Sequence, residues 1–245
     1  MDKGMKTRWI SLYVENQVGV LSKISGLFSG KSYNLDSLTV GTTEDPTVSR
    51  MTIATVSDDE TFEQIKNIAG FFARIVDYKS PFTSTHSIGV AECASKLSGY
   101  MGFDDETVQK MYLAGALHDI GKVAIGNDIL EKPDRLTDEE FDTMKHHASY
   151  TYRILSDIDD FDEIRDWAAF HHERLDGTGY PFGKSADELN ECERIMACVD
   201  IYQALTESRP YKKGMTHEKA IGILEDMAQK GWLDKNIVLK TDECF

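Results

Sequence analysis

Basic residues are scarce in this chain. Across 245 residues, 27 Lys and Arg face 42 Asp and Glu, for a formal net charge of -15. That imbalance argues against nonspecific binding to a nucleic acid polymer or to an anionic membrane. An anionic substrate stays open, because a bound metal ion dominates its local field. Cysteine is sparse as well: Cys93, Cys192, Cys198 and Cys244 form no CxxC pair and follow no secretory signal. Reduced thiols in a cytoplasmic protein are expected. No apolar run approaches the roughly 20 residues of a membrane-spanning helix, so no membrane partner is expected. The N-terminal MDKGMKTRW is charged without an apolar targeting core. Gly/Ser linkers, low-complexity segments and internal repeats are also missing. The 41% apolar content fits a folded chain with a sizeable core, long enough for one large or two small domains.

Two regions with different periodicity make up the chain, and the expected class is α+β. Residues 8–66 alternate strand and helix patterns. RWISLYVEN reads as a strand, and VGVLSKISGLFSGKS puts Val20, Ile24, Leu27 and Phe28 on one helical face. NLDSLTVGTTEDPTVSRMTIATV gives two strands around a turn near Glu44-Asp45-Pro46. SDDETFEQIKN opens a second helix capped by Ser57 or Asp58. The order is β-α-β-β-α, one strand short of a βαββαβ unit. RIVDYKS (74–80) is a candidate for the missing strand. From about residue 68 the pattern is helical nearly to the end, and the domain division is drawn at 1–67 and 68–245. Thr137 with Glu140 forms a capping box ahead of one helix, and Thr216 caps another.

The helical region holds five histidines and two aspartates in polar signatures that a core does not explain. They are His86, His118 and Asp119 in LHDIGK, His147 in MKHH, His171 and His172 in FHHERLDGTGYP, and Asp200 in CVDIYQAL. Neutral imidazole and carboxylate are ligands for Fe, Mn and Zn. Any one of these histidines is more often a hydrogen-bonded core residue; five motifs in one helical segment point to a site for two metal ions. His118 and Asp119 close the helix VQKMYLAGAL, with Lys122 within one turn unless Gly121 ends the helix first. His171 and His172 end a buried helix and, as helix neighbours, point about 100° apart. Asp200 lies among apolar residues, where it needs a ligand role, a cap or a partner such as Arg194. His146 and His217 are expected at the surface.

These motifs resemble the HD-GYP family of the HD phosphohydrolase superfamily: HDIGK (118–122), HHERLDGTGYP (171–181) and VDIYQALTESRPYK (199–212). The resemblance covers about residues 70–241. It implies an all-α helical domain that binds Fe or Mn and hydrolyses cyclic di-GMP or a related cyclic dinucleotide. It places the metal ligands at His86, His118, Asp119, His147, His171, His172 and Asp200, with Asp119 as the bridge. Lys122, Arg209 and Lys212 fall on contacts to substrate phosphate, and Tyr180 lies in the signature loop as a further substrate contact. Asp119 and Lys122 are the catalytic pair it implies. Phe82 stands where some relatives carry a third-metal Glu, which favours two metals. Gln203 stands where the family often has Asp, which removes a negative charge near the substrate.

Residues 8–66 resemble the ACT domain of the acetolactate synthase small (regulatory) subunit, through RWISLYVENQVGVLSKISGLFSG, YNLDSLTVG and TEDPTVSRMTIATVSDDETFEQIK. This match ends near Asn67. It implies a ferredoxin-like unit that pairs as a homodimer and binds a branched-chain amino acid such as valine at Asn16, Gly19 and Asn34. From pattern alone, Gly19 reads as a turn glycine. The leading reading is therefore a two-metal cyclic-dinucleotide phosphodiesterase under amino-acid control. The alternatives are a valine-sensing regulatory protein of acetolactate synthase, and an HD-GYP-like domain that binds nucleotide without hydrolysis.

Overall fold

The structure is a computed structural model. It describes residues 6–15, 35–42 and 48–57 and residues 86–245 other than 159 and 209–212. The chain forms two compact units. In the first, β1 (Lys6–Glu15), β2 (Leu35–Thr42) and β3 (Val48–Ser57) form an antiparallel sheet in the order β1-β3-β2. Lys6 pairs with Ser57 and Glu15 with Val48, while Thr39 pairs with Thr52 on the other side of β3. All three strands coincide with the strand patterns in the sequence. The two helices expected in this unit, the candidate strand at 74–80 and the candidate effector residues Asn16, Gly19 and Asn34 lie outside the described residues. So does Phe82.

The second unit, over the described residues, is helical: α1 (His86–Tyr100), α2 (Asp105–Leu117), a short α3 (Asn127–Leu130), α4 (Asp138–Ser156), α5 (Asp162–Ala169), α6 (Glu191–Thr206), α7 (His217–Gln229) and α8 (Lys235–Cys244). Local signals set several helix starts. Asp104 accepts the Thr107 amide at 2.7 Å. Thr137 and Glu140 form the expected capping box, at 2.7 and 3.3 Å. Asn190 and Glu193 form a second, at 2.6 and 3.1 Å. Thr216 occupies the cap position of α7 without a side-chain cap bond.

The core is rich in small residues, which lets helices approach closely. Val90, Ala91, Ala94 and Leu97 of α1 face Met111 and Ala114 of α2, all without solvent exposure. A Cβ added to Gly115 would lie 2.6 Å from the Cα of Ala91, so glycine is required where α1 and α2 cross. Packed against these, α6 buries Ile195, Met196 and Val199. Arg194 joins the start of α6 to the cap of α8 by an ion pair with Asp234 at 2.7 Å. It therefore does not reach Asp200, the partner the sequence offered for it. Cys192 and Cys198 are buried thiols, each pushed up to about 12 by desolvation, and none of the four cysteines is paired.

Candidate metal centre

His118, Asp119, His171 and His172 lie at or just beyond helix ends, whereas His147 lies within α4 and Asp200 within α6. α2 stops at Leu117, with His118 as its C-cap, and Ile120–Ala124 continues as a 3-10 turn. The expectation that Lys122 shares a helical face with His118 fails in its geometry, because α2 ends before it. The tighter turn nevertheless brings Lys122 Nζ to 2.5 Å from Asp119 Oδ2. The turn packs so closely on α4 that a Cβ on Gly121 would lie 1.9 Å from the carbonyl oxygen of His147. Thr151 clamps this approach: its hydroxyl donates to the His118 carbonyl at 2.8 Å and accepts from the Gly121 amide at 3.0 Å.

The His171-His172 pair also departs from expectation. α5 ends at Ala169 with Phe170 as its cap, and the pair lies in the turn beyond it. The two rings sit 4.0 Å apart between centroids instead of diverging around a helix. The turn exists because Glu173 folds back, its amide donating to the Phe170 carbonyl at 2.9 Å. His171 thereby stands between the others, its ring 4.8 Å from that of His118 and 5.5 Å from that of His147.

The candidate ligands converge as two groups, His86 with His118 and Asp119, and His147 with His171 and His172. Asp119 connects them. Its Oδ2 is 3.3 Å from His118 Nε2, while its Oδ1 is 3.4 Å from His147 Nε2. Asp200 joins the first group, with Oδ1 3.0 Å from His86 Nε2 and 3.7 Å from His118 Nε2. All but His172, which is partly exposed, are buried.

Tautomers are set by the backbone. His118 Nδ1 donates to the Gly115 carbonyl at 2.7 Å, His147 Nδ1 to Met144 at 2.7 Å and His171 Nδ1 to Ala168 at 2.6 Å. In each case the acceptor lies three residues earlier, and Nε2 is the nitrogen that faces the shared centre. A second bond that fixes the ring and frees one nitrogen is the arrangement of a metal-ligating histidine.

Burial is the largest influence on the charges here. It holds His171 well below the ordinary imidazole range, lowers His147 and takes His172 down to about 3. Burial also works against the charged form of His118, but Asp119 and Asp200 outweigh it and hold that ring at about 9. The carboxyl of Asp119 lies well below its usual range: burial opposes this, and Lys122 and His118 overcome it. Asp200 is lowered likewise, chiefly by His86 against burial. Ionised carboxylates beside the imidazoles of His147, His171 and His172, which burial keeps neutral, form a donor set that a divalent cation fits, and His118 would release its proton on binding one.

The signature loop roofs one side of this centre. Asp176 Oδ1 accepts from the Thr178 amide at 2.9 Å, and Gly177 takes a positive φ of 76°. Glu173, which the sequence reading passed over, organises the loop: its buried carboxylate accepts the Phe182 amide at 2.7 Å and the Lys184 amide at 2.9 Å. Its position directly after the histidine pair was the available signal. The Tyr180 amide bonds the His172 carbonyl at 3.2 Å, and its ring lies 4.7 Å from the His172 ring. Burial, then the charges of Asp200 and Asp119, push the Tyr180 phenol upward, so it remains a donor. Arg209 and Lys212 lie outside the described residues. His146 is exposed as expected, but His217 is engaged: it bonds Tyr202 at 2.9 Å and Asp242 at 3.1 Å.

Comparison with known proteins gives two family matches. A model of the HD domain matches residues 70–237, and one of the AHAS small subunit-like ACT domain matches residues 10–73. The second match runs past Asn67, where the sequence resemblance was expected to stop. Among curated proteins, a 3'3'-cGAMP-specific phosphodiesterase 1 of Vibrio cholerae is 37% identical over 71% of this chain and 41% of its own length. A 3'3'-cGAMP-specific phosphodiesterase 3 of the same organism is 40% identical over 63% of this chain and 34% of its own. A cyclic di-GMP phosphodiesterase response regulator of Xanthomonas campestris is 34% identical over 72% of this chain and 47% of its own. The chain thus spans less than half the length of these relatives. Among solved structures, an HDG"Y"P protein of Bdellovibrio bacteriovorus superposes with a TM-score of 0.56 at 18% identity, covering 75% of this chain and 63% of the other. The HD domain of the phosphodiesterase PgpH of L. monocytogenes superposes at 0.53 and 18% identity, covering 71% and 94%. At such identities the likeness concerns the fold.

Proposed function

Because the chain belongs to the HD domain family and carries an AHAS small subunit-like ACT domain ahead of it, we propose that it is a two-metal cyclic-dinucleotide phosphodiesterase. The observation that carries this reading is Asp119, whose two oxygens face two separate histidine groups. His86, His118 and Asp200 would hold one ion, His147, His171 and His172 the other, and Asp119 would serve both. Nitrogen and oxygen ligands of this kind suit Fe or Mn. When bound, the ions supply Lewis acidity toward a phosphodiester and lower the pKa of water.

The chain's own residues then have distinct tasks. Asp119 and Asp200 provide the fixed negative charge that retains the ions. The Lys122 ammonium, already 2.5 Å from Asp119, offsets charge on the phosphate oxygens as it develops. Tyr180, a protonated phenol beside His172, is a contact for substrate at the mouth of the site. Arg209 and Lys212 complete the phosphate contacts in this reading. The names of the relatives support both cyclic di-GMP and 3'3'-cGAMP as substrates. The test is anaerobic purification, metal analysis and assay of both dinucleotides on one sample. About two Fe or Mn per chain with a linear or mononucleotide product is expected. Metal without hydrolysis would favour a binding domain, and absence of metal would overturn the reading.

The division at residues 1–67 and 68–245 belongs to the same proposal, as does a ferredoxin-like βαββα(β) form for the first part. The antiparallel order β1-β3-β2 supports that form. The ACT match supports control by a branched-chain amino acid bound near Asn16, Gly19 and Asn34, with pairing into a homodimer. Saturating valine should change the hydrolysis rate or the thermal midpoint; if it moves neither, amino-acid control is wrong. A metal-free chain that binds valine would instead favour a regulatory protein of acetolactate synthase.

A further inference from the structure

Three candidate ligands, His118, His147 and His171, find an Nδ1 acceptor three residues earlier in their own chain segment. His86, the first described residue of α1, has its Nδ1 partner elsewhere. Its partner comes from α6 instead. The carboxamide oxygen of Gln203 accepts a short hydrogen bond from His86 Nδ1. Asp200, three residues before Gln203 on α6, approaches the same ring from the other nitrogen, at 3.0 Å. One face of α6 therefore grips both edges of His86.

Gln203 is held in place as firmly as the ring it meets. Only 8% of it is exposed. Its amide fills a slot opened by Gly89 on α1, where an added Cβ would lie 2.2 Å from Gln203 Nε2 and 2.9 Å from Cδ. A side chain at position 89, one turn along from His86, would therefore push the Gln203 amide aside. The substitution of Gln for the family's frequent Asp reads differently in this light. Gln203 sits behind a ligand, supplying a neutral acceptor where Asp119 and Asp200 already concentrate two buried carboxylates.

We propose that Gln203 is the positioning residue for His86: it holds the Nδ1 proton and so presents Nε2, beside Asp200, to a metal ion. This rests on the two-metal reading above. The test uses the full chain and two readouts besides activity. In metal-free protein, the Nδ1 proton of His86 should give a hydrogen-bonded NMR signal protected from exchange. Gln203→Met, which keeps the volume but removes the acceptor, should abolish that signal and leave those of His118, His147 and His171. In titrations with Zn2+ as a diamagnetic probe, one of two binding steps should weaken about 10–100-fold, the range for loss of a ligand's orienting partner. Gln203→Glu, which retains an acceptor oxygen, should keep the signal and the affinity. Gly89→Ala displaces the Gln203 amide without touching a ligand and should reproduce the loss; it also decides the matter should Gln203→Met fail to fold. An unchanged His86 signal or two unchanged Zn2+ affinities in these variants would overturn the proposal. Should the wild-type chain bind no metal, the two-metal reading falls, and the NMR readout alone still decides the role of Gln203.

Discussion

In the proposed centre, both halves depend on Asp119. Its oxygens lie 3.3 and 3.4 Å from histidines of different groups. Asp119→Ala should therefore lower metal content at both positions together and cut hydrolysis by at least about 100-fold, since partners behind a ligand alone cost about 10–100-fold. Metal analysis of the variant checks this, and two retained ions would remove Asp119 as a bridge. Lys122 has a different task. Lys122→Ala should leave both ions in place and lower kcat roughly 100–1,000-fold, the range for losing one preorganised electrostatic donor. Normal turnover with normal metal content would take Lys122 out of the reaction. The identities of these residues were legible in the motifs. The role of Gln203 was not: α6 brings it to His86 from 117 positions away, and no local pattern carries that contact.

At the level of elements, periodicity located β1–β3 and most of the helices, and the Thr137–Glu140 capping box placed the start of α4. Helix ends were harder to read. The histidine pair looks helical by its apolar neighbours Ile164, Trp167 and Ala168, yet α5 stops at Ala169. The turn that follows is held by Glu173, whose carboxylate gathers amides from nine and eleven residues further on. Likewise α2 gives way to a 3-10 turn where Gly121 meets α4. Gly121→Ala would drive a methyl into the His147 carbonyl and the Thr151 amide, both backbone atoms that cannot step aside. A loss of about 2 kcal/mol or more in chemical denaturation is expected, with weaker metal binding through the displaced His147. A stable variant with unchanged metal affinity would show that this contact does not position the site.

At the scale of the whole molecule, the helical unit buries two ionised carboxylates and a set of imidazoles in one place. In the proposed reading, ions that bind the folded site and not the unfolded chain would link metal to stability. Ions present at 100 times their dissociation constant add about 2.7 kcal/mol per site. For a unit of this size that corresponds to roughly 5–10 °C in the midpoint. Chelation of both ions should lower the thermal midpoint of the helical unit by about twice that amount, as calorimetry would show; an unchanged midpoint would mean that metal contributes nothing to the fold. No helix among the described residues is long and apolar enough to cross a membrane, in keeping with the absence of long apolar runs. The sequence by itself determined the helical class of the second unit, the strand pattern of the first and the residue types of the metal centre. These follow from short-range periodicity, capping and motif spacing, which act within a few residues. Only the tertiary structure decided which oxygen of Asp119 faces which histidine, which nitrogen of His118, His147 and His171 bonds the backbone, and what meets His86. Those depend on where separate helices end and cross, and that is settled by close packing between residues far apart in the chain.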